Sequence, residues 1–494
     1  MNSRNVVSVL GTLLEPFALL LLLPGFIDSF SGRMASGWTF FGTAIVAFSV
    51  GRLLRRYGGE PGKFSRVEAM AVVAFSWLVA ALFGAAPYVQ QGFSAIDALF
   101  ESMSGFTTTG STIFLTEDFT RVTRGLIFWR SLTQWLGGMG IIVLFVAVLP
   151  ALAVAGRQMF FTEAPGPEEE ALTPRIRHTA AALWLLYAGL TALEATLLAT
   201  VGNMSGFEAI CHALTTLAAG GFSPHGQSLG GYGASAQWIV LVFMFLAGAS
   251  FALQFRALRR PSRLVRDTEF KTYACIIGFS GLLIALLIAG TRGHDFEASL
   301  RHGLFQAASI VTTTGYASED FNLWSHNALI VVGCLFFVGG CAGSAGGGPK
   351  VVRLIILAKF LAREVLTALH PRAVKVVRLG GRPLADETVR QIIGFMVAYI
   401  TIFAGVAALA GLIEGDLAVG FTGSIVTLGN IGPGFGALGP METFSVLSPW
   451  TKGLFILSMW VGRLEVMTVL VLLHPDVLRG FSLRRRRKGR SSRV

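Results

Sequence analysis

The sequence predicts an all-α integral membrane protein of about ten transmembrane helices, arranged as two leading helices and four helix–P-loop–helix repeats. Three observations carry that expectation. Of 494 residues, 53% are hydrophobic and only 14% charged, with a mean hydropathy of +0.64; soluble globular chains lie well outside that range. Apolar runs of the roughly 20 residues a spanning helix needs recur throughout. They lie at 6–27, 67–90, 127–154, 178–201, 236–255, 272–290, 391–413 and 453–474. Between the members of successive helix pairs comes an apolar stretch too short to span, closed by a glycine-bearing turn. These segments read ESMSGFTTTGST, CHALTTLAAGGF, LFQAASIVTTTGYA and TGSIVTLGNIGPG.

Taken in order, the run at 6–27 is expected to be a retained span rather than a cleaved leader, because more spans follow it instead of a soluble domain. With a helix at about 37–55 it forms a leading unit, residues 1–66. Lysine and arginine then collect after every second span. The groups are Arg52, Arg55, Arg56, Lys63 and Arg66; Arg256, Arg259, Arg260, Arg263, Arg266 and Lys271; the stretch from Lys350 to Arg390; and RRRRKGR at 484–490. That is the positive-inside pattern, which puts these loops and both termini in the cytoplasm. Repeats follow at 67–160, 161–265, 266–385 and 386–478, before a basic cytoplasmic tail at 479–494. The net charge of +12 is therefore assigned to topology rather than to nucleic acid, although the tail also suits anionic lipid. Cys211, Cys275, Cys334 and Cys341 show neither metal spacing nor a disulfide framework.

Aligned on their glycines, the short segments are anchored at Gly110, Gly220, Gly315 and Gly432. Irregular backbone at membrane depth is tolerated only when it is buried in protein or lines a water-filled cavity. Four such segments in pseudo-fourfold arrangement would therefore surround a central pore. A half-helix followed by a Thr/Gly turn can aim carbonyls at the axis, and rings of carbonyls replace a cation's hydration shell. The alternative, plain external loops, leaves the apolar half-helices unexplained.

Two further features belong to the inner half of such a pore. GGCAGSAGGGP at 339–349 interrupts an apolar stretch from about 327 to 366. Each glycine costs about 1 kcal/mol against alanine in a helix and proline about 3, so the helix must break there. The glycines concerned are Gly339, Gly340, Gly343, Gly346, Gly347 and Gly348; a packing kink would need far fewer. The tail GGGPK does not meet the phosphate-loop pattern, since Pro349 precedes Lys350 and Val351 follows it. Arg463 stands inside the last apolar run, where a charge marks a functional site by default. Glu465, two residues on, lies on another helix face and is no simple partner; structural pairing with another helix is the alternative role. The acids Glu117, Asp118, Glu319 and Asp320 follow their filter segments, either concentrating cations at the mouth or acting as ordinary loop acids. Glu194 is expected to pair with a neighbouring helix rather than carry protons. No enzyme motif is present: neither HExxH, nor a nucleophile elbow, nor a Walker sequence.

At these residues the chain resembles the Trk/Ktr/HKT superfamily of potassium transporters, within it the TrkH-like bacterial branch, over nearly its whole length. The resemblance implies one filter glycine per repeat and carbonyl ligands for K+ just before each. Carried over, these are Thr108, Thr109 and Gly110; Ala218, Ala219 and Gly220; Thr313, Thr314 and Gly315; and Asn430, Ile431 and Gly432. LAAG and GNIG stand where the other repeats have TTTG, which leaves backbone carbonyls as the common ligand. In plant members a serine at the first glycine accompanies sodium transport; Gly110 is intact here, so potassium is favoured over a sodium-conducting or sodium-coupled carrier. The resemblance further implies that 339–349 is an intramembrane gate loop under the filter with Arg463 beside it. It also implies a homodimer in the bacterial inner membrane and a cytosolic TrkA-type regulatory ring that binds the nucleotide. K+ is then the transported ion, with no organic cofactor on this chain.

Overall fold

The computed structural model of the chain describes residues 3–60, 65–140, 176–290 and 293–477. The second half of the apolar run at 127–154 and the basic tail lie outside them. Apart from one two-residue hairpin, Arg378–Leu379 against Arg382–Pro383, the regular structure is helical. Among the described residues six helices are long and apolar enough to cross a membrane, or eight when two bent pairs are counted as spans.

The leading unit consists of α1 (Ser3–Leu20), α2 (Leu22–Phe30) and α3 (Met34–Gly58), with α1 packed along α3. The first repeat has α4 (Arg66–Gln90), the short α5 (Ala95–Phe106), a single turn α6 (Asp118–Arg121) and α7 (Arg124–Gly138). The second has α8 (Ile176–Thr200), α9 (Gly206–Leu217), α10 (Ala234–Ala247) and α11 (Phe251–Ala257). A connecting turn, α12 (Ser262–Arg266), leads to the third: α13 (Thr268–Ile288), α14 (Phe296–Val311), α15 (His326–Leu335) and α16 (Val351–Leu369). The fourth has α17 (Asp386–Glu414), α18 (Leu417–Leu428), α19 (Pro449–Arg463) and α20 (Val466–Leu473).

The short helices α5, α9, α14 and α18 are 12, 12, 16 and 12 residues long. At 1.5 Å per residue they rise about 18–24 Å, less than the roughly 30 Å of a hydrocarbon core. Each starts where a side-chain oxygen caps it: Ser94, Ser205, Asp295 and Asp416 accept N–H groups of their first turns, as helix N-termini require. Each packs on the long helix before it, α4 on α5, α8 on α9, α13 on α14 and α17 on α18. The same pairing made four times leaves the four short helices inside a shell of long ones.

The helices after the second and fourth of these short helices are not the straight spans expected at 236–255 and 453–474. The pair α10 and α11 bends by 100° across residues 248–250, and α19 and α20 bend by 107° at Leu464 and Glu465. Both breaks are made by tertiary partners that local sequence does not announce.

Candidate ion filter and gate loop

Each short helix ends in the same way. The N–H groups of Thr108, Ala219, Thr313 and Asn430 donate to carbonyls three residues back, at 3.0, 2.9, 3.0 and 3.3 Å. The next N–H groups, of Thr109, Gly220, Thr314 and Ile431, donate five residues back at 2.9, 2.9, 2.9 and 2.8 Å. Such a C-terminal cap needs a left-handed residue, and φ is 52°, 53°, 59° and 53° at Thr108, Ala219, Thr313 and Asn430. Threonine is rarely held there, so surrounding contacts over-determine it. Two residues further on, φ is again positive at Gly110 (83°), Gly221 (75°), Gly315 (83°) and Gly432 (107°).

This corrects the register of the second repeat. The counterpart of Gly110 is Gly221, not Gly220, and Gly220 matches Thr109, Thr314 and Ile431. Ala218 is the helix C-cap of α9, in right-handed conformation, and matches Thr107. The adjacent glycines in LAAGGF gave no local reason to choose between them; the helix end decides.

The four turns form a closed ring. A Cβ on Gly110 would run into the carbonyl oxygen of Gly220, one on Gly221 into that of Thr314, and one on Gly315 into that of Ile431. On Gly432 it would stand 2.9 Å from the Thr109 carbonyl oxygen. Each glycine thus lets its neighbour's carbonyl come close, in the order first, second, third, fourth and back to first. The glycines at 110, 221, 315 and 432 also line a common cavity with Ser111, Ser223 and Pro433.

Side chains hold the ring from behind. The Thr107 and Thr109 hydroxyls bond each other at 2.8 Å, as do those of Thr312 and Thr314 at 2.7 Å. Asn430 Nδ2 donates to Thr109 Oγ1 at 2.9 Å, and Ser111 Oγ to the Gly432 carbonyl at 2.9 Å, joining the first and fourth repeats. Gln134 bridges the first and second: its Nε2 donates to the Gly220 carbonyl at 2.7 Å and its Oε1 accepts from Phe222 N–H at 3.0 Å. It fills the space that a side chain occupies at Thr109, Thr314 and Ile431, which is why glycine stands at 220. Glu101 and Arg130, both buried, pair at 2.6 Å. Glu101 also accepts Ile113 N–H at 2.9 Å, while Arg130 donates to the Ser223 carbonyl at 2.7 Å and lies over the Phe222 ring. Neither was singled out from sequence, although two opposite charges in apolar segments were the available signal.

The stretch 339–349 is irregular between α15 and α16 and lies against the base of the third and fourth turns. A Cβ on Gly346 would stand 2.6 Å from the Thr312 carbonyl oxygen, and one on Gly347 equally close to that of Gly429. The loop crosses the break in the second repeat: Cys341 N–H donates to the Gly248 carbonyl at 2.8 Å and Phe251 N–H to the Gly343 carbonyl at 3.1 Å. At its ends, Gly339 N–H donates to Pro349 at 2.8 Å and Val351 N–H to Gly340 at 3.1 Å; Gly343 and Gly348 take positive φ. Glu269 accepts Ala342 N–H at 2.8 Å and Val352 N–H at 3.1 Å, and Thr313 Oγ1 accepts Gly347 N–H at 2.7 Å. Two cations reach it. Arg463 donates to the Ala345 carbonyl at 3.0 Å and to the Gly137 carbonyl at the end of α7; Lys350 donates to the carbonyls of Gly346 and Gly347. As expected, Glu465 is not the partner of Arg463: it binds Arg353 at 2.7 Å, and that pair sits at the bend between α19 and α20.

The sequence profile of the TrkH family, described as a cation transport protein, matches residues 37–289 and 294–476. This chain belongs to the TrkH family. It is 36% identical over 495 residues to the Trk system potassium uptake protein TrkH of Salmonella typhimurium, covering 97% of this chain and all of that protein. It is 36% identical over 420 residues to the potassium uptake protein TrkI of Halomonas elongata, with 83% of each covered. The crystal structure of the potassium transporter TrkH from Vibrio parahaemolyticus superposes with a TM-score of 0.86 at 33% identity, covering 97% of this chain and all of that one.

Within this TrkH-family fold the loop acids are mostly engaged. Asp118 accepts Leu115 N–H at 2.9 Å and pairs with Arg121, Asp320 caps the turn at 321–323, and Glu319 contacts His294 and Trp324. Glu117 alone of the four is exposed. Glu194 is fully buried, with neither carboxyl oxygen hydrogen-bonded among the described residues. Near the start of α9, burial raises the Glu208 carboxyl, but hydrogen bonds from His225 and Ser205 outweigh it and bring it down to about 2. All four cysteines are free.

Proposed function

We propose that this protein takes up K+ across the bacterial inner membrane through the ring of four turns. The ligands are backbone carbonyls of Thr108 and Thr109, Ala219 and Gly220, Thr313 and Thr314, and Asn430 and Ile431. The observation that carries this reading is the cyclic approach of each filter glycine to the next repeat's carbonyl. Such carbonyls replace a cation's hydration shell without proton chemistry, and the inside-negative potential supplies about 2.3 kcal/mol per charge per 100 mV. The relatives, which are potassium uptake proteins, support K+ as the ion.

The loop at 339–349 is the gate in this reading, closed against the base of the filter. Arg463 clamps it to the first repeat and sets a fixed positive charge in the path of cations. A homodimer, with both termini cytoplasmic and a cytosolic nucleotide-binding TrkA-type ring acting on the gate, completes the proposal. The test is growth at low external K+ of a host lacking its own uptake systems, with and without a TrkA-type partner. Rescue that depends on this chain is expected. Failure to rescue while the protein reaches the membrane, or rescue of Na+-dependent growth instead, overturns the reading.

A further inference from the structure

Away from the filter axis, three side chains with metal-ligating atoms meet at the N-terminal end of α14. His294 precedes the helix, His302 lies on it, and Glu319 follows Gly315 by four residues. One ligand atom from each lies within 4.8 Å of the others, the only such group of histidine, cysteine, aspartate or glutamate among the described residues. His294 Nε2 and Glu319 Oε2 are already 3.1 Å apart, and the imidazole centroids are 5.3 Å apart. Bonds of about 2.0–2.2 Å in a tetrahedral zinc site set ligand atoms about 3.3–3.5 Å apart, so the set closes on a shift of about 1 Å from the present spacing.

The surroundings are those of a ligand set rather than a bare ion pair. Trp324 Nε1 donates to Glu319 Oε1 at 2.5 Å, leaving Oε2 to face the imidazoles, and Ser318 Oγ bonds His302 Nδ1 at 2.8 Å. Outer partners of this kind orient metal ligands. His294 Nδ1 is buried with no hydrogen-bond partner among the described residues. The adverse neighbour is Arg301, whose Nη1 is 3.4 Å from His302 Nε2; its charge is met by Glu297 at 3.0 Å, and Nη1 also bonds Gln237 Oε1.

The second repeat provides an internal control. His302 and Glu319 stand 13 residues before and four after Gly315; Glu208 and His225 stand 13 before and four after Gly221. Acid and imidazole have exchanged places, and Glu208 and His225 form a pair at 2.6 Å with no third ligand among the described residues. Only the third repeat adds His294. We infer that His294, His302 and Glu319 bind one transition-metal ion of the Zn2+ class, with water completing its shell. Two imidazoles and a carboxylate favour Zn2+ over Mg2+ or Ca2+, which prefer all-oxygen shells. The bound ion ties the segment before α14 to the segment after the filter.

The experiment is titration of the purified, chelator-treated full chain with Zn2+ in excess Mg2+, read by calorimetry and by the thermal midpoint. One ion per chain and a raised midpoint are expected. His302→Ala and Glu319→Gln each weaken binding by about tenfold or more and remove the midpoint shift, while His225→Ala changes neither. No stoichiometric binding by the unaltered chain, or equal binding by the His302 and Glu319 variants, overturns the inference. Should those variants fail to fold, zinc-edge X-ray absorption of the unaltered protein decides: two imidazoles and a carboxylate sustain the site, whereas thiolate or all-oxygen ligation refutes it.

Discussion

The proposed filter and the proposed gate loop are both glycine-rich, irregular backbone within a bundle of apolar helices, yet they are held in opposite ways. The filter is built four times from one backbone pattern, and its side chains vary freely: Thr108, Ala219, Thr313 and Asn430 occupy the same left-handed position. The gate loop is built once and is fixed by side chains outside it or at its edge, namely Glu269, Thr313, Lys350 and Arg463. The contrast separates two ways of satisfying bare peptide groups inside a membrane. In the proposed filter, hydrogen bonds back into each helix end hold the turn and leave two carbonyls per repeat for an ion in this reading. Along the loop, donors and acceptors are taken up by named side chains and by the opened backbone at Gly248, so changing Glu269, Lys350 or Arg463 changes the loop without touching a residue of the filter turns.

The largest effect that would break this comparison is at the glycines. Serine at Gly221 or Gly315 drives a Cβ into the next repeat's carbonyl and is expected to abolish K+-dependent growth; Gly110→Ser follows closely. Gly432→Ser, where the approach is 2.9 Å, should retain transport but weaken selectivity, measured as the ratio of Rb+ to Na+ flux in liposomes. Equal effects at all four would mean that the ring is not what the glycines serve. Next, deleting 341–347 is expected to raise flux by about tenfold or more, the equivalent of about 1.4 kcal/mol off the barrier, with selectivity unchanged. Flux that stays level in the deletion removes the gate from the account.

Smaller effects sharpen it. Arg130→Leu leaves Glu101 as an uncompensated buried charge, which costs about 3–5 kcal/mol; the readout is the thermal midpoint, accompanied by loss of selectivity as the Ser223 anchor goes. The smallest change is expected for Thr109→Val or Thr314→Val. Thr109 loses its hydrogen bonds to Thr107 and Asn430, and Thr314 the one to Thr312, each worth about 0.5–1.5 kcal/mol, while the carbonyls keep their places, so selectivity should hold. A collapse of selectivity in either would make hydroxyls, not backbone, the ligands.

Much of this was legible in the sequence because a half-helix plus a glycine turn is an expensive pattern to keep by chance four times. The turn in the first, third and fourth repeats could be read to the residue. In the second, Ala218, Ala219, Gly220 and Gly221 offer no steric landmark until the end of α9 is seen, and Gln134, 86 residues away from Gly220, explains the extra glycine. The bends at 248–250 and 464–465 were hidden for a related reason. Gly248 leaves its helix because its carbonyl receives Cys341 N–H, and Glu465, at φ 59°, is held by Arg353, 112 residues away. Apolar composition reports that a segment prefers lipid depth; it carries no word of which distant partner opens it. The helix break at 339–349, by contrast, announced itself, since six glycines in eleven residues cannot continue a helix.

The central claim, that a ring of backbone carbonyls conducts potassium, is tested most directly by ion flux through the purified protein in liposomes under matched gradients of K+, Rb+ and Na+. Uptake of K+ and Rb+ well above Na+, lost in Gly221→Ser and preserved in Thr109→Val, is the expected result. Na+ passing as readily as K+ in the unaltered protein would contradict the account.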